Sequence, residues 1–185
     1  CTPLAWGRGV HSVFFGGGTP SLFPPSAIGD ILDACSARLR FAPNAEVTME
    51  CNPGTAEHGR FEEYLKAGVN RVSFGIQSFD DGCLQRLGRI HDSGEAEVAV
   101  KMAQDAGVSN INLDLMYALP EQTLAMALYD VERAVALIPE PLERLTVVSP
   151  GDANATVVAV FEEPRGIARR QPHLAFDGVT GAVLE

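Results

Sequence analysis

No apolar run in the sequence approaches the ~20 residues of a membrane-spanning helix, and no basic leader with an apolar stretch behind it opens the chain, so neither an anchor nor a signal peptide is expected. Positive charge is scarce. The 14 Lys and Arg stand against 24 Asp and Glu, a net charge of -10. That balance argues against a nucleic-acid or anionic-membrane surface, because both need clustered cations. Cysteine is scarce and scattered, at positions 1, 35, 51 and 83, with no CxxC or CxxxCxxC grouping. Zinc and iron–sulfur sites need ligands gathered by local spacing, and free thiols in a reducing compartment are the simpler reading. An initiator Met is lacking too: the chain opens Cys1-Thr2-Pro3, which suggests a missing N-terminal piece. What remains is a 185-residue chain with 46% hydrophobic and 21% charged residues, suited to one globular domain with a real core.

Within that domain the sequence alternates. Residues 10–16 read as a strand, and Pro24-Pro25 open a helix, where a proline's fixed φ and missing N–H are harmless. Ile28, Ile31, Leu32, Cys35 and Leu39 follow helical spacing, which makes Cys35 a core residue. Residues 46–52 form the next strand. Thr55 can cap a helix carrying Phe61, Tyr64 and Leu65, ended by Gly68. A third strand spans 71–78, with a short helix near 80–87. Asp92, with Glu95 three residues on, starts a helix that runs to Gly107. A fourth strand spans 110–119. Thr123 caps a helix with Leu124, Leu128, Val131, Val135 and Ile138 on one face, and 144–149 reads as a fifth strand. Strand and helix thus alternate roughly every 30 residues, the mark of βα units on a parallel sheet. That leaves a barrel or an open doubly wound sheet.

Alternate strand residues face opposite sides. Val47, Met49 and Cys51 oppose Thr48, Glu50 and Asn52; Val72, Phe74 and Ile76 oppose Ser73, Gly75 and Gln77; Ile111, Leu113 and Leu115 oppose Asn112, Asp114 and Met116. Three strands each present one apolar face and one small or polar face. A sheet covered on both sides would be apolar on both. A polar face near the strand C-termini fits a barrel lumen that holds a polar ligand, since βα-barrel sites gather at that end.

Taken singly, several residues have plain structural readings. Arg89 suits a weak surface pair with Asp92. His91 suits a local hydrogen bond, and Asp80-Asp81 a pair of charges at a helix N-terminus. The stretch "FFGGGTPSLF" at 14–23 asks for more, because its three glycines, Gly16 to Gly18, suit either a plain turn or a backbone that touches a ligand.

The segments "FFGGGTPSL", "EVTMECNPGT", "NRVSFGIQSFDD", "LGRIHD" and "NINLDLMYALPEQT" stand in one order over about residues 10–140. Together they resemble radical S-adenosylmethionine proteins, and more narrowly the oxygen-independent coproporphyrinogen III oxidase group, above all its heme-chaperone branch. The resemblance implies an α/β fold, a partial (β/α) barrel lacking its first strand. It also implies that Gly17, Gly18 and Thr19 hold the methionine end of S-adenosylmethionine through backbone groups. Glu50, Gln77, Arg89 and Asp114 match positions that bind the cofactor's ammonium, carboxylate and ribose. An Arg can clamp a carboxylate bidentately, and an Asp can accept from ribose hydroxyls.

The resemblance further implies a [4Fe–4S] cluster on a CxxxCxxC loop of the preceding strand, and this chain carries no such ligands. The expected role is therefore the central segment of a heme chaperone in heme or porphyrin metabolism, catalytically silent by itself. Coproporphyrinogen III oxidative decarboxylation, a non-catalytic truncated barrel, and a phosphate enzyme using "GGGT" as an anion nest are the other readings. Heme or porphyrinogen is an implied ligand; nucleic acid and a membrane span are not expected, and a cytoplasmic location is. Ala118 stands where the group usually has Gly, which would tighten that loop. The barrel segment is expected over 1–150 and an unrecognised tail over 151–185, where the sequon "NAT" at 154–156 reads as chance.

Overall fold

Four strands pair in the sequential order β1-β2-β3-β4, every neighbour parallel, in the computed structural model, which describes residues 7–55 and 60–138. The strands are β1 (Gly9–Phe15), β2 (Arg40–Cys51), β3 (Arg71–Gln77) and β4 (Ile111–Leu115). Five helices connect and follow them: α1 (Pro25–Ser36), α2 (Arg60–Lys66), α3 (Asp81–Arg86), α4 (Ser93–Asp105) and α5 (Leu124–Leu137). Strand order decides between the two architectures. A doubly wound sheet reverses its order at a switch point, whereas a barrel wall adds each strand beside the last. The described residues follow the barrel pattern. All their elements fall in one compact unit that ends at Leu137. The fifth strand over 144–149, the boundary at 150 and the tail lie outside the described residues.

The local chemistry explains the ends of the elements. Pro25 opens α1 behind Pro24. Asp92 and Glu95 form a capping box: Asp92 Oδ1 accepts from the Glu95 N–H at 2.8 Å, and Glu95 Oε2 accepts from the Asp92 N–H at 3.1 Å. Asp80 caps α3 by accepting from the Cys83 N–H at 2.8 Å, while Asp81 Oδ1 accepts from the Ser93 N–H at 2.9 Å and joins α3 to the start of α4. Gly68, at φ +108°, ends α2. The Thr123 hydroxyl accepts from the Met126 N–H at 3.3 Å at the start of α5.

The two-faced strands sort as their alternation predicts. Val47, Met49 and Cys51 of β2 and Val72, Phe74 and Ile76 of β3 are buried against Ile28, Leu32, Phe61, Tyr64, Val100 and Ala103 of the helices. Phe61 meets Phe74 edge-on, with centroids 5.9 Å apart.

Several details differ from the sequence reading. β4 ends at Leu115, not 119. β2 begins at Arg40, not 46: Arg40 and Phe41 pair with Gly9 and Val10, then the register jumps to Ser12–Glu46. Pro43, with no N–H to give the ladder, sits in that irregularity. On α1 the core takes Ile28 and Leu32, while Ile31 is 46% exposed and Cys35 only half-buried. On α5 the hydrophobic stripe is turned outward, with Leu124 76% exposed, and Asp130 and Ala134 are the buried residues. Small side chains permit close approach, and α5 is tied to α4 by Gln104 Nε2 on the Leu137 carbonyl (2.7 Å) and by the Arg133–Glu97 ion pair.

The loop after β4 holds Ala118 at φ +58°, a left-handed conformation that glycine adopts without strain. Ala118→Gly is expected to stabilise the chain by about 0.5–1 kcal/mol, the strain relieved less the extra freedom of the unfolded glycine. A urea midpoint that does not rise would contradict this.

Candidate binding cleft

The polar faces of β2, β3 and β4 build the cleft in layers. At the strand N-terminal side Thr48 donates to Glu46 at 2.9 Å, and Arg71 lies 3.7 Å from the same carboxylate. One layer up, Ser73, Asn112 and Asp114 close a triangle. The Ser73 hydroxyl donates to Asp114 Oδ2 at 2.9 Å, and Asn112 Nδ2 reaches both Asp114 Oδ1 (2.8 Å) and Ser73 Oγ (2.9 Å). Both carboxylate oxygens of Asp114 are thereby fixed, and the residue stays exposed toward the opening. At the strand C-terminal end lies a cleft of about 200 Å³. Gly18, Thr19, Glu50, Gln77, Arg89 and Asp114 line it together with Pro20, Cys51, Asn52, Ser73 and Gly75. Six of the seven sequence-predicted site residues thus share one opening.

The seventh, Gly17, stands beside it and donates its N–H to Glu50 Oε2 at 2.9 Å. Gly17 and Gly18 take φ of +84° and +63°, and a Cβ on either would meet nothing within 4 Å. Backbone conformation, not crowding, therefore demands glycine at both. Gly16 is the crowded one: its Cβ would fall 2.6 Å from the Phe14 ring and 3.2 Å from the Glu50 carboxyl carbon. The turn Pro20–Leu22 that follows is held from below by the Tyr64 hydroxyl, which lies 2.8 Å from the Ser21 carbonyl and 2.6 Å from that of Phe23.

Arg89 does not pair with Asp92. Its Nη2 donates to the Gly75 carbonyl at 2.9 Å, while its Nε is buried without a partner. A buried N–H without a partner is costly. Gly75 makes room for this arrangement, because a Cβ there would sit 2.9 Å from Gln77 Nε2 and 3.0 Å from Arg89 Nη2. His91 behaves as its plain reading predicts. Its Nε2 lies 3.2 Å from the Ile76 carbonyl, which can only accept, so Nε2 carries the hydrogen. Burial pushes its pKa down and keeps the ring neutral.

Cys51 contributes to the wall, but its side chain is 4% exposed and burial pushes its thiol up to about 11. A protonated thiol is neither nucleophile nor metal ligand at neutral pH. Among the described residues no group of His, Cys, Asp or Glu is placed to hold a metal ion, and no helix is long and apolar enough to cross a membrane.

Two features of the site escaped the sequence reading. Gln77 is at φ +71°, a left-handed conformation uncommon for a residue with a side chain. Asp130, 1% exposed on α5, accepts from the Phe79 N–H at 2.6 Å, from the Ser78 hydroxyl at 2.9 and 3.1 Å, and from Gln122 Nε2 at 3.1 Å. Burial raises its pKa and these hydrogen bonds pull it back. An Asp interrupting an apolar helix stripe was the available signal for the second feature; nothing in the sequence marks the first.

The radical SAM superfamily model matches residues 4–134. The heme chaperone HemW of Haemophilus influenzae is 51% identical over 132 residues, which is 71% of this chain and 34% of that protein. Its Escherichia coli namesake is 51% identical over 138 residues, 75% of this chain and 36% of that protein. The chain therefore spans about a third of the length of the curated relatives it matches. Among solved structures, the radical SAM enzyme coproporphyrinogen III oxidase HemN of Escherichia coli superposes with a TM-score of 0.66 at 29% identity, covering 79% of this chain and 33% of that one. The chain thus shares the parallel α/β fold of a known radical SAM barrel.

Proposed function

The chain belongs to the radical SAM superfamily, and from that premise we propose that its cleft binds S-adenosylmethionine as the central segment of a cytoplasmic heme chaperone. The gathering of Gly18, Thr19, Glu50, Gln77, Arg89 and Asp114 around one cleft carries the reading. The cleft sets two carboxylates, Glu50 and Asp114, against one guanidinium, Arg89. S-adenosylmethionine carries two positive centres, its ammonium and sulfonium, against one carboxylate, so the charges match in number and sign. Arg89 would take the cofactor carboxylate, Glu50 the ammonium, Asp114 the ribose hydroxyls, and Gln77 a further polar contact. Gly17, Gly18 and Thr19 would give the methionine end a backbone surface. Glu50 already holds the Gly17 N–H, so it orients that surface as well as bearing charge.

The superfamily implies a [4Fe–4S] cluster beside S-adenosylmethionine, and when bound it would supply the electron that splits the cofactor into methionine and a 5′-deoxyadenosyl radical. The described residues provide no ligand set for it. Their part is binding and orientation. The 51% identity to two proteins named heme chaperone favours that role over coproporphyrinogen III oxidation, the named activity of the structural neighbour at 29%. Heme is then the second ligand of the whole protein, and a barrel segment silent by itself remains the alternative.

Asp114→Ala tests the cofactor assignment. It removes both acceptors of the Ser73–Asn112 triangle and is expected to reduce S-adenosylmethionine binding below calorimetric detection. Equal binding by parent and variant would reject the assignment. Hemin titration of the whole protein, read at its Soret band, tests the chaperone role, and turnover of coproporphyrinogen III without heme binding would favour the oxidase.

A further inference from the structure

We propose that Asp130 is a positioning residue: its buried carboxylate clamps the segment after β3 and thereby holds Gln77 in the left-handed conformation that aims its amide into the cleft. The proposal deepens the binding role given above and rests on it for its ligand.

A left-handed non-glycine residue persists only where its surroundings overdetermine it. The surroundings of Gln77 do so from both sides. On its own residue, the Gln77 carbonyl accepts from the Met116 N–H at 2.8 Å, which fixes the peptide against the end of β4. On the following residues, Asp130 accepts from the Ser78 hydroxyl and, at 2.6 Å, from the Phe79 N–H. Ser78 Oγ in turn accepts from the Asp80 N–H at 3.0 Å, so the hydroxyl is satisfied in both directions. The clamp also reaches the loop after β4, where Gln122 Nε2 donates to Asp130 Oδ2 and Gln122 Oε1 accepts from the Leu119 N–H at 3.2 Å. One carboxylate on α5 thus fastens two of the loops that rise from the C-terminal ends of the barrel strands.

Asp130 and Ser78 are 1% and 0% exposed, and a buried acid is retained only where hydrogen bonds repay its desolvation. The pairing of β3 with β4 shifts register between Phe74 and Gln77, at the point where Gln77 turns. Gln77 Nε2 ends beside the Arg89 guanidinium, since both crowd the same position above Gly75. Releasing residues 78–79 would free Gln77 to leave the left-handed conformation and its amide to leave its place above Gly75.

The test is a double-mutant cycle on the full chain, together with a binding measurement. Gln77→Gly removes the conformational strain. In the parent background its effect on the urea midpoint is expected to be more favourable than in the Asp130→Asn background, where the strain is already released. Ser78→Ala, which leaves the carboxylate in place, provides a milder second background should Asp130→Asn fail to fold. Equal effects of Gln77→Gly in all backgrounds would overturn the clamp, because a merely structural Asp130 lowers stability without coupling to residue 77. In the binding arm, Ser78→Ala and Asp130→Asn are expected to weaken S-adenosylmethionine about fivefold, the size of one net hydrogen bond, at temperatures where the protein stays folded. Unchanged affinity in a coupled variant would overturn the positioning role. A parent chain that binds no S-adenosylmethionine would defeat the ligand assignment, while the cycle still decides the clamp.

Discussion

Arg89→Gln is expected to weaken S-adenosylmethionine binding by about a hundredfold while leaving the melting temperature close to that of the parent. The binding figure follows from what the guanidinium does. Hydrogen bonds to charged groups are worth about 1.5–3 kcal/mol each, and truncating one partner of a desolvated charge pair costs about 2–5 kcal/mol. Near the low end of that range lies a loss of about 100-fold. The small effect on stability follows from the free structure, where Arg89 makes one hydrogen bond, to the Gly75 carbonyl, and leaves its Nε unpaired. Glutamine can keep a donor near that carbonyl but loses the charge and the fork. Lysine is not expected to rescue, because a point charge does not reproduce bidentate geometry. Calorimetry on parent, Arg89→Gln and Arg89→Lys gives the comparison. An affinity within threefold of the parent in Arg89→Gln would remove Arg89 from the site.

The second large effect concerns the sheet that carries the cleft. Phe74 is 0% exposed and meets Phe61 edge-on, on the face of β3 opposite the polar side chains. Phe74→Ala is expected to cost about 3–5 kcal/mol, transfer and cavity terms together. That is a large share of the stability of a domain this size. Phe14, on β1 and 57% exposed, serves as the contrast: Phe14→Ala is expected to change stability by less than about 1 kcal/mol. Urea unfolding of both variants measures the difference. Similar losses in the two would mean that the apolar faces do not divide between helix layer and cleft as described.

The sequence was legible where a short-range rule determines the outcome. The alternation of Val47, Met49 and Cys51 with Thr48 and Glu50 follows from the pleat, and it sorted the faces of β2 and β3. The capping box at Asp92 and the left-handed cap at Gly68 follow from local backbone chemistry. Legibility failed where distant packing decides. The hydrophobic stripe of α5 pointed to Leu124 and Leu128, yet the helix buries Ala134 and Asp130, because close contact and the clamp on residues 78–79 select that side. The start of β2 was hidden by Pro43, which reads as a break and is absorbed as a register shift beside β1. The left-handed Gln77 left no trace, since glutamine carries no preference for that conformation. Arg89 is the instructive case for the site. Alternation cannot place a loop residue, its plain reading was a surface pair, and the motif resemblance alone directed it to the cleft that it lines.

The central claim is that the cleft recognises the amino-acid end of S-adenosylmethionine. Its most direct test is a calorimetric comparison of S-adenosylmethionine with 5′-methylthioadenosine, which keeps the nucleoside and lacks the ammonium, the carboxylate and the sulfonium charge. With Arg89, Glu50 and the glycine loop holding the missing part, 5′-methylthioadenosine is expected to bind at least about tenfold more weakly, the value of one charge-assisted contact. Binding of the two compounds with equal affinity, or of neither, would contradict the account.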